Sequence, residues 1–147
     1  MNKKIINLVI ILQRPLLRMM RKHGHFIIKQ ENNLLFSYFF GAWNIEQTFT
    51  YVEQVKCSVQ TLKEQPWARI VDLSQWEGAG KEAADPLKEL QLWSEHSNCI
   101  QTLFINPPLI PKFMIEKYGN PYASYQVVQS EEEAKEWLKA NTKLVEK

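Results

Sequence analysis

Four carboxylates, Asp72, Glu77, Glu82 and Asp85, crowd a short stretch that also holds Ser74, Trp76, Gly78, Gly80 and Lys81. Acids grouped this way could hold a divalent cation or divide the work of acid and base. The neighbouring residues give neither use much support. No histidine lies in the stretch. The ordinary employment of such acids is to accept backbone amides at a strand end, as Asp72 would, or to cap a helix, as Asp85 would. No catalytic residue and no metal ligand is assigned, and no cofactor is expected. Gly78-Ala79-Gly80-Lys81 imitates a phosphate loop, but that pattern needs a glycine about five residues before Gly80 and a hydroxyl after Lys81. Gln75 and Glu82 stand at those places. Free amides at a helix start can still hold an anion, although Glu77, Glu82 and Asp85 oppose one here.

The remaining reactive side chains are sparse. His23-Gly24-His25 has the proximity of metal ligands without a third partner, and His96 falls near the end of a helical pattern, where a cation suits the dipole. No GxSxG elbow presents a nucleophile. Cys57 and Cys99 form neither a CxxC pair nor a metal spacing; both are expected to be buried free thiols in a reducing, cytoplasmic setting. Trp43, Trp67 and Trp76 flank strand ends or helix starts, where aromatics either close the end of a core or line a pocket or partner patch.

These residues need a scaffold, and the apolar patterning supplies one. A short apolar run over 68–73 ends in Asp72-Leu73-Ser74 and then meets Gly78 and Gly80. This predicts a buried strand of a parallel sheet that delivers its carboxyl end to a loop over 74–85. Ligands and partners of open α/β sheets gather at that edge. Strand-like runs at 25–30 and 34–40, separated by Glu31-Asn32-Asn33, predict a hairpin, since Asn tolerates the positive φ of short loops. Asn44 with Gln47 reads as a capping box for a helix striped by Ile45, Phe49, Val52, Val59 and Leu62, ending near Lys63 ahead of Pro66. Asp85-Pro86 reads as the start of a second helix, with Leu87, Leu90 and Trp93 facing inward. A strand over 99–105, a short helix over 109–118 and a strand over 124–128 follow. Ser130 with Glu133 then caps a last helix whose Ala134, Trp137 and Leu138 face in.

The order β-β-α-β-α-β-α-β-α predicts one α/β domain over residues 23–140. Its mixed sheet has about five strands, an antiparallel hairpin followed by parallel strands, packed with about four helices. Residues 141–147 are expected to fray. Residues 1–22 form a basic and apolar extension. The run from Ile5 to Leu12 imitates a signal peptide but is too short to span a bilayer, and no small-residue cleavage site follows it. Residues 1–24 carry six basic side chains and no acid, which leaves 12 basic and 16 acidic groups in the other 123 residues. A mildly acidic body argues against nucleic acid as a partner. Contact of residues 1–22 with a membrane surface ranks below an upstream extension or an extra packed element.

The element order, with Gly41-Ala42-Trp43-Asn44 entering the first helix, Ile70-Val71-Asp72-Leu73-Ser74 closing the third strand and Ser130-Glu131-Glu132-Glu133-Ala134-Lys135-Glu136-Trp137-Leu138 at the end, resembles the STAS-like fold. More narrowly it is similar to the SpoIIAA-like group, bacterial relatives of the anti-sigma-factor antagonists. The resemblance implies a regulatory or binding module rather than a catalyst. Antagonists of that kind are switched by phosphorylation of a serine at the start of the helix after the third strand. Here that zone reads Gly78-Ala79-Gly80-Lys81-Glu82, and Ser74 lies upstream of it, so the serine switch is not expected. The leading expectation is a non-catalytic interaction module, with Trp43, Asp72, Ser74, Trp76, Glu77, Gly78, Gly80 and Lys81 as the binding set. Its partner is another protein, with a second copy of the chain as one form, and a protein partner predicts an exposed Trp76. The rivals are a carrier of an apolar small molecule or lipid, which the resemblance also implies, and an uncharacterised enzyme using the acids around Asp72.

Overall fold

The computed structural model describes residues 24–118 and 125–146; the extension at 1–22 and Ser124 lie outside them. The elements are β1 (His25–Glu31), β2 (Leu34–Trp43), α1 (Ile45–Val59), β3 (Trp67–Ala79), a 3-10 turn (Lys81–Ala83), α2 (Ala84–His96), β4 (Cys99–Ile105), α3 (Leu109–Tyr118), β5 (Tyr125–Val128) and α4 (Glu131–Asn141). The five strands lie side by side in chain order. β1 runs antiparallel to β2, and every later pairing is parallel. This is the mixed α/β sheet the patterning predicts.

Alternation along the strands divides the core into two layers. Leu35, Phe39, Val71, Leu73 and Trp76 join Tyr51, Val52, Val55, Val59 and Leu90 beneath α1 and α2, with Met114 and Ile115 of α3 packed against them. Leu34, Phe36, Ala68, Ile70, Leu103, Ile105 and Val128 face the other way and bury Ala134 and Leu138 of α4. Leu144 and Val145 lean on this second layer, so the segment expected to fray has a packed portion.

The largest departure from expectation is at β3. It does not end at 73; it continues to Ala79, paired with the end of β2 through Gln75, Trp76, Gly78 and Ala79. Two register shifts accompany the extension, both with the extra residue on β3. Tyr38 pairs with Asp72 but Phe40 with Gln75, and Gly41 pairs with Trp76 but Ala42 with Gly78. These are β-bulges. At the first, the Asp72 carboxylate accepts the Ser74 amide at 2.9 Å and its hydroxyl at 2.6 Å. At the second, Gly78 adopts φ +100°, which a side chain would resist. The predicted loop over 74–85 is therefore strand as far as Ala79, followed by the 3-10 turn and the start of α2.

Smaller corrections have local causes. Asn44 accepts the Gln47 amide at 3.0 Å, but the Gln47 side chain donates to the Gly24 carbonyl instead of completing the box. Asp85 does not cap α2; the 3-10 turn feeds directly into a helix beginning at Ala84, and Asp85 sits in its first turn. α1 stops at Val59 and the chain continues as turns toward Pro66. Cys57 is exposed and Cys99 buried, both free. Cys57 falls off the stripe set by Val52, Val55 and Val59, which explains why the expectation of two buried thiols fails at this one. The hairpin turn is Asn32-Asn33, and Asn32 takes φ +53°.

Candidate functional site

A polar seam crosses the helix-rich layer. Tyr51 of α1 donates to Ser37 Oγ of β2 at 2.8 Å and accepts from Arg69 Nη2 of β3 at 2.8 Å. Arg69 Nη1 reaches Gln91 Oε1 of α2 at 3.3 Å, and Gln91 Nε2 donates to Thr102 Oγ1 of β4 at 3.0 Å. Ser37, Tyr51 and Thr102 are fully buried, and Arg69 is only 4% exposed. The strand parity that places Val71 and Leu73 inward also drives Arg69 inward. Its guanidinium lies 5.6 Å from the centre of the Tyr51 ring, a cation–π distance. Cys99, at the far end of the seam, has its thiol pKa pushed up by burial, against the lowering effect of the Arg69 charge.

The hydrogen-bond partners of Arg69 among the described residues are neutral. Among the described residues the ion pairs are Lys29–Glu31 and Lys135–Glu31 on the surface, and no carboxylate meets Arg69. Its Nε is buried without a hydrogen-bond partner, as is Trp76 Nε1. Both residues line a cavity of about 100 Å³ bounded by Val71 and Leu73 of β3, Leu87 and Gln91 of α2, Phe104 of β4 and Met114 of α3. Among the described residues its lining holds the cations Arg69 and Lys88 and no acid.

The first bulge builds this wall. Leu73 and Trp76 are three residues apart, and plain alternation would put them on opposite faces. The extra residue at Ser74 returns the indole to the side of Leu73. There Trp76 meets Phe39 at 5.1 Å and Trp43 at 5.5 Å between ring centroids, both edge-on. Phe39, Trp43 and Tyr51 pack further along the same layer, tilted or edge-on to one another.

The predicted binding set is thus divided. Trp43 is interior, its indole donating to the carbonyls of His25 and Phe40. Trp76 is 3% exposed, which overturns the expectation of an exposed partner-binding indole. The bulge buries it. Asp72 and Ser74 are half-buried and engaged with each other, and Gly78 is buried; Glu77, Gly80 and Lys81 remain exposed. Among the described residues no group of His, Cys, Asp and Glu is arranged to hold a metal. Glu82 lies against Gly80, which sets a negative charge where an anion at the helix start would have to sit. Trp67 is sealed in the core with its indole on the Ser97 carbonyl at 2.7 Å. Arg69 is the residue the sequence reading passed over. Its signal was available: a charged side chain in phase with Trp67, Val71 and Leu73.

On the opposite face the polar contact is Tyr38 OH donating to Glu131 of α4 at 2.7 Å. Burial raises the Tyr38 pKa far above the ordinary phenol value, with the Glu131 hydrogen bond and the charges of Glu131, Asp72 and Glu31 adding to it.

No family model matches this sequence, and no curated protein does. Solved structures do. The anti-sigma factor antagonist SpoIIAA in its unphosphorylated form superposes with a TM-score of 0.57 at 10% identity, covering 78% of this chain and 97% of that one. A phosphorylated form of the Bacillus cell fate determinant SpoIIAA gives 0.57 at 12% identity, covering 77% and 98%. An uncharacterized protein of the DUF3478 family from Shewanella loihica, with a SpoIIAA-like fold, gives 0.58 at 12% identity, covering 80% and 94%. Strand order, the leading hairpin and the flanking helices agree with the resemblance drawn from the sequence: this chain has the SpoIIAA-like, STAS-like α/β fold.

Proposed function

We propose that this chain is a non-catalytic regulatory module that binds another protein through the exposed part of the β3–α2 connection, Glu77, Gly80, Lys81 and Glu82. The supporting observation is the division of the connection itself. Its aromatic residue is turned into the core while its charged residues stand in water, and specificity in such surfaces comes from complementary charge. The fold shared with an anti-sigma factor antagonist adds an analogy, which bears on architecture more than on activity. A serine switch at the antagonist position has no acceptor here, because residues 77–93 contain neither Ser nor Thr. The free thiols Cys57 and Cys99 suit a reducing cytoplasm. No helix among the described residues is long and apolar enough to cross a membrane.

Crosslinking in cells of the native source, compared between wild type and a Lys81→Glu/Glu82→Lys double variant, tests the reading. The double variant keeps its melting temperature and loses the wild-type crosslinked partner. An unchanged partner profile removes this surface from the proposal. The cavity beside Arg69 favours a second reading, carriage of an apolar small molecule, which is independent of the docking surface.

A further inference from the structure

We infer that the cavity between β3, β4, α2 and α3 binds a small apolar monocarboxylate, its head held by Arg69 and Trp76 and its tail by the apolar wall. The inference rests on the carrier reading and supplies the ligand's chemical class.

The first observation is a charge without a counter-charge. A guanidinium 4% exposed, bonded only to the neutral Tyr51 and Gln91, bears a desolvation cost that neutral partners offset only in part. The second is a pair of idle donors. Arg69 Nε and Trp76 Nε1 are both buried and unpartnered, the two side chains that carry them line this cavity, and neither group can accept a hydrogen bond. What they lack is an acceptor. Water could accept the two hydrogen bonds but would leave the charge unbalanced; a carboxylate does both, and guanidinium–carboxylate pairs are the stronger, charge-assisted kind. A single buried cation matches a single negative charge, so a monoanion fits better than a dianionic phosphate ester. Lys88 is exposed on the lining and adds a screened attraction for anions.

The third observation fixes size and tail. A cavity of about 100 Å³ is somewhat smaller than the ~150 Å³ engineered void that holds benzene. It accepts a head and a few carbons, with the rest of a chain leaving along the opening. Val71, Leu73, Leu87, Phe104, Met114 and Ile115 give that chain an apolar path.

Three eight-carbon probes on the full chain test this: octanoate, 1-octanol and octylamine, read by calorimetric titration and by tryptophan fluorescence. Octanoate binds, perturbs the emission and raises the melting temperature. 1-Octanol binds about tenfold or more weakly, and octylamine does not bind. Arg69→Met reduces octanoate affinity to that of 1-octanol while its own melting temperature stays level or rises, since Tyr51 keeps Ser37 and Gln91 keeps Thr102. Equal affinity for octanoate and 1-octanol overturns the head-group assignment while leaving the carrier reading intact. Binding of neither probe overturns both. A sharp fall in melting temperature on Arg69→Met shows that the guanidinium also serves folding and passes the decision to Trp76. Where that variant fails to fold, Trp76→Phe decides: it weakens octanoate and spares 1-octanol, and an unchanged octanoate affinity sinks the assignment.

Discussion

The two faces of the sheet are built from the same five strands yet solve different problems. The face under α4 is a plain apolar layer in which Leu34, Phe36, Ile70, Leu103 and Leu138 interlock, and its one notable polar contact, Tyr38 to Glu131, lies toward its margin. The face under α1, α2 and α3 carries a polar seam through its centre, an uncompensated guanidinium and a void. A chain selected only for stability would have filled that void and omitted that charge. The contrast teaches that one layer is filled throughout while the other, on the carrier reading proposed above, trades some stability for a ligand.

Paired truncations probe this directly. Leu138→Ala, at a site with no solvent exposure, is expected to lower stability by about 2–5 kcal/mol, since it opens a cavity in a filled layer. Leu87→Ala, which only enlarges an existing space and begins half-buried, is expected to lower it by about 1–2 kcal/mol. Urea unfolding of both variants measures the difference, and equal losses would erase the distinction between faces. Arg69→Met comes next in size. The free variant is expected to match wild type or exceed it by about 1–4 kcal/mol, as buried charges replaced by apolar side chains often do.

The smallest effect is confined to alkaline solution and to the plain face. The Tyr38 pKa is raised in the folded state, so its contribution is complete below the unfolded phenol value of about 10 and is lost as pH rises beyond it. Tyr38→Phe is therefore expected to cost about 1 kcal/mol at neutral pH, and the gap from wild type to narrow above pH ~10. A gap of constant width in denaturation curves across that range would mean that the phenol proton contributes nothing to the attachment of α4.

The sequence carries much of this architecture and little of the site. β4 appears at its predicted bounds because Cys99–Ile105 is a mostly apolar run, interrupted by Gln101 and Thr102, between Asn98 and Asn106, both of which take positive φ. α4 is equally plain, with Ser130 accepting the Glu133 amide at 3.0 Å and Ala134 and Leu138 in phase beneath it. β3 was cut short because Asp72-Leu73-Ser74 has the composition of a strand end. Its side-chain-to-backbone hydrogen bond instead shapes a bulge, and whether such a segment stops or only shifts depends on a neighbouring strand supplying further pairs. Here the end of β2 does so, which one-dimensional periodicity does not report. The buried Trp76 follows from the same miscount. Arg69 was hidden differently: inside an apolar strand a lone cation looks like surface, and only the alternation of Trp67, Val71 and Leu73 around it fixes its direction.

The bulge at Ser74 makes one wall of the chamber a matter of counting rather than of chemistry. Were the three-residue interval from Leu73 to Trp76 paired without that extra residue, simple alternation would swing the indole out to solvent and leave the gap open on that flank, with every side chain unaltered in identity. A one-residue slip in how the tip pairs with its neighbour would thus act as an on–off control over what the interior can enclose.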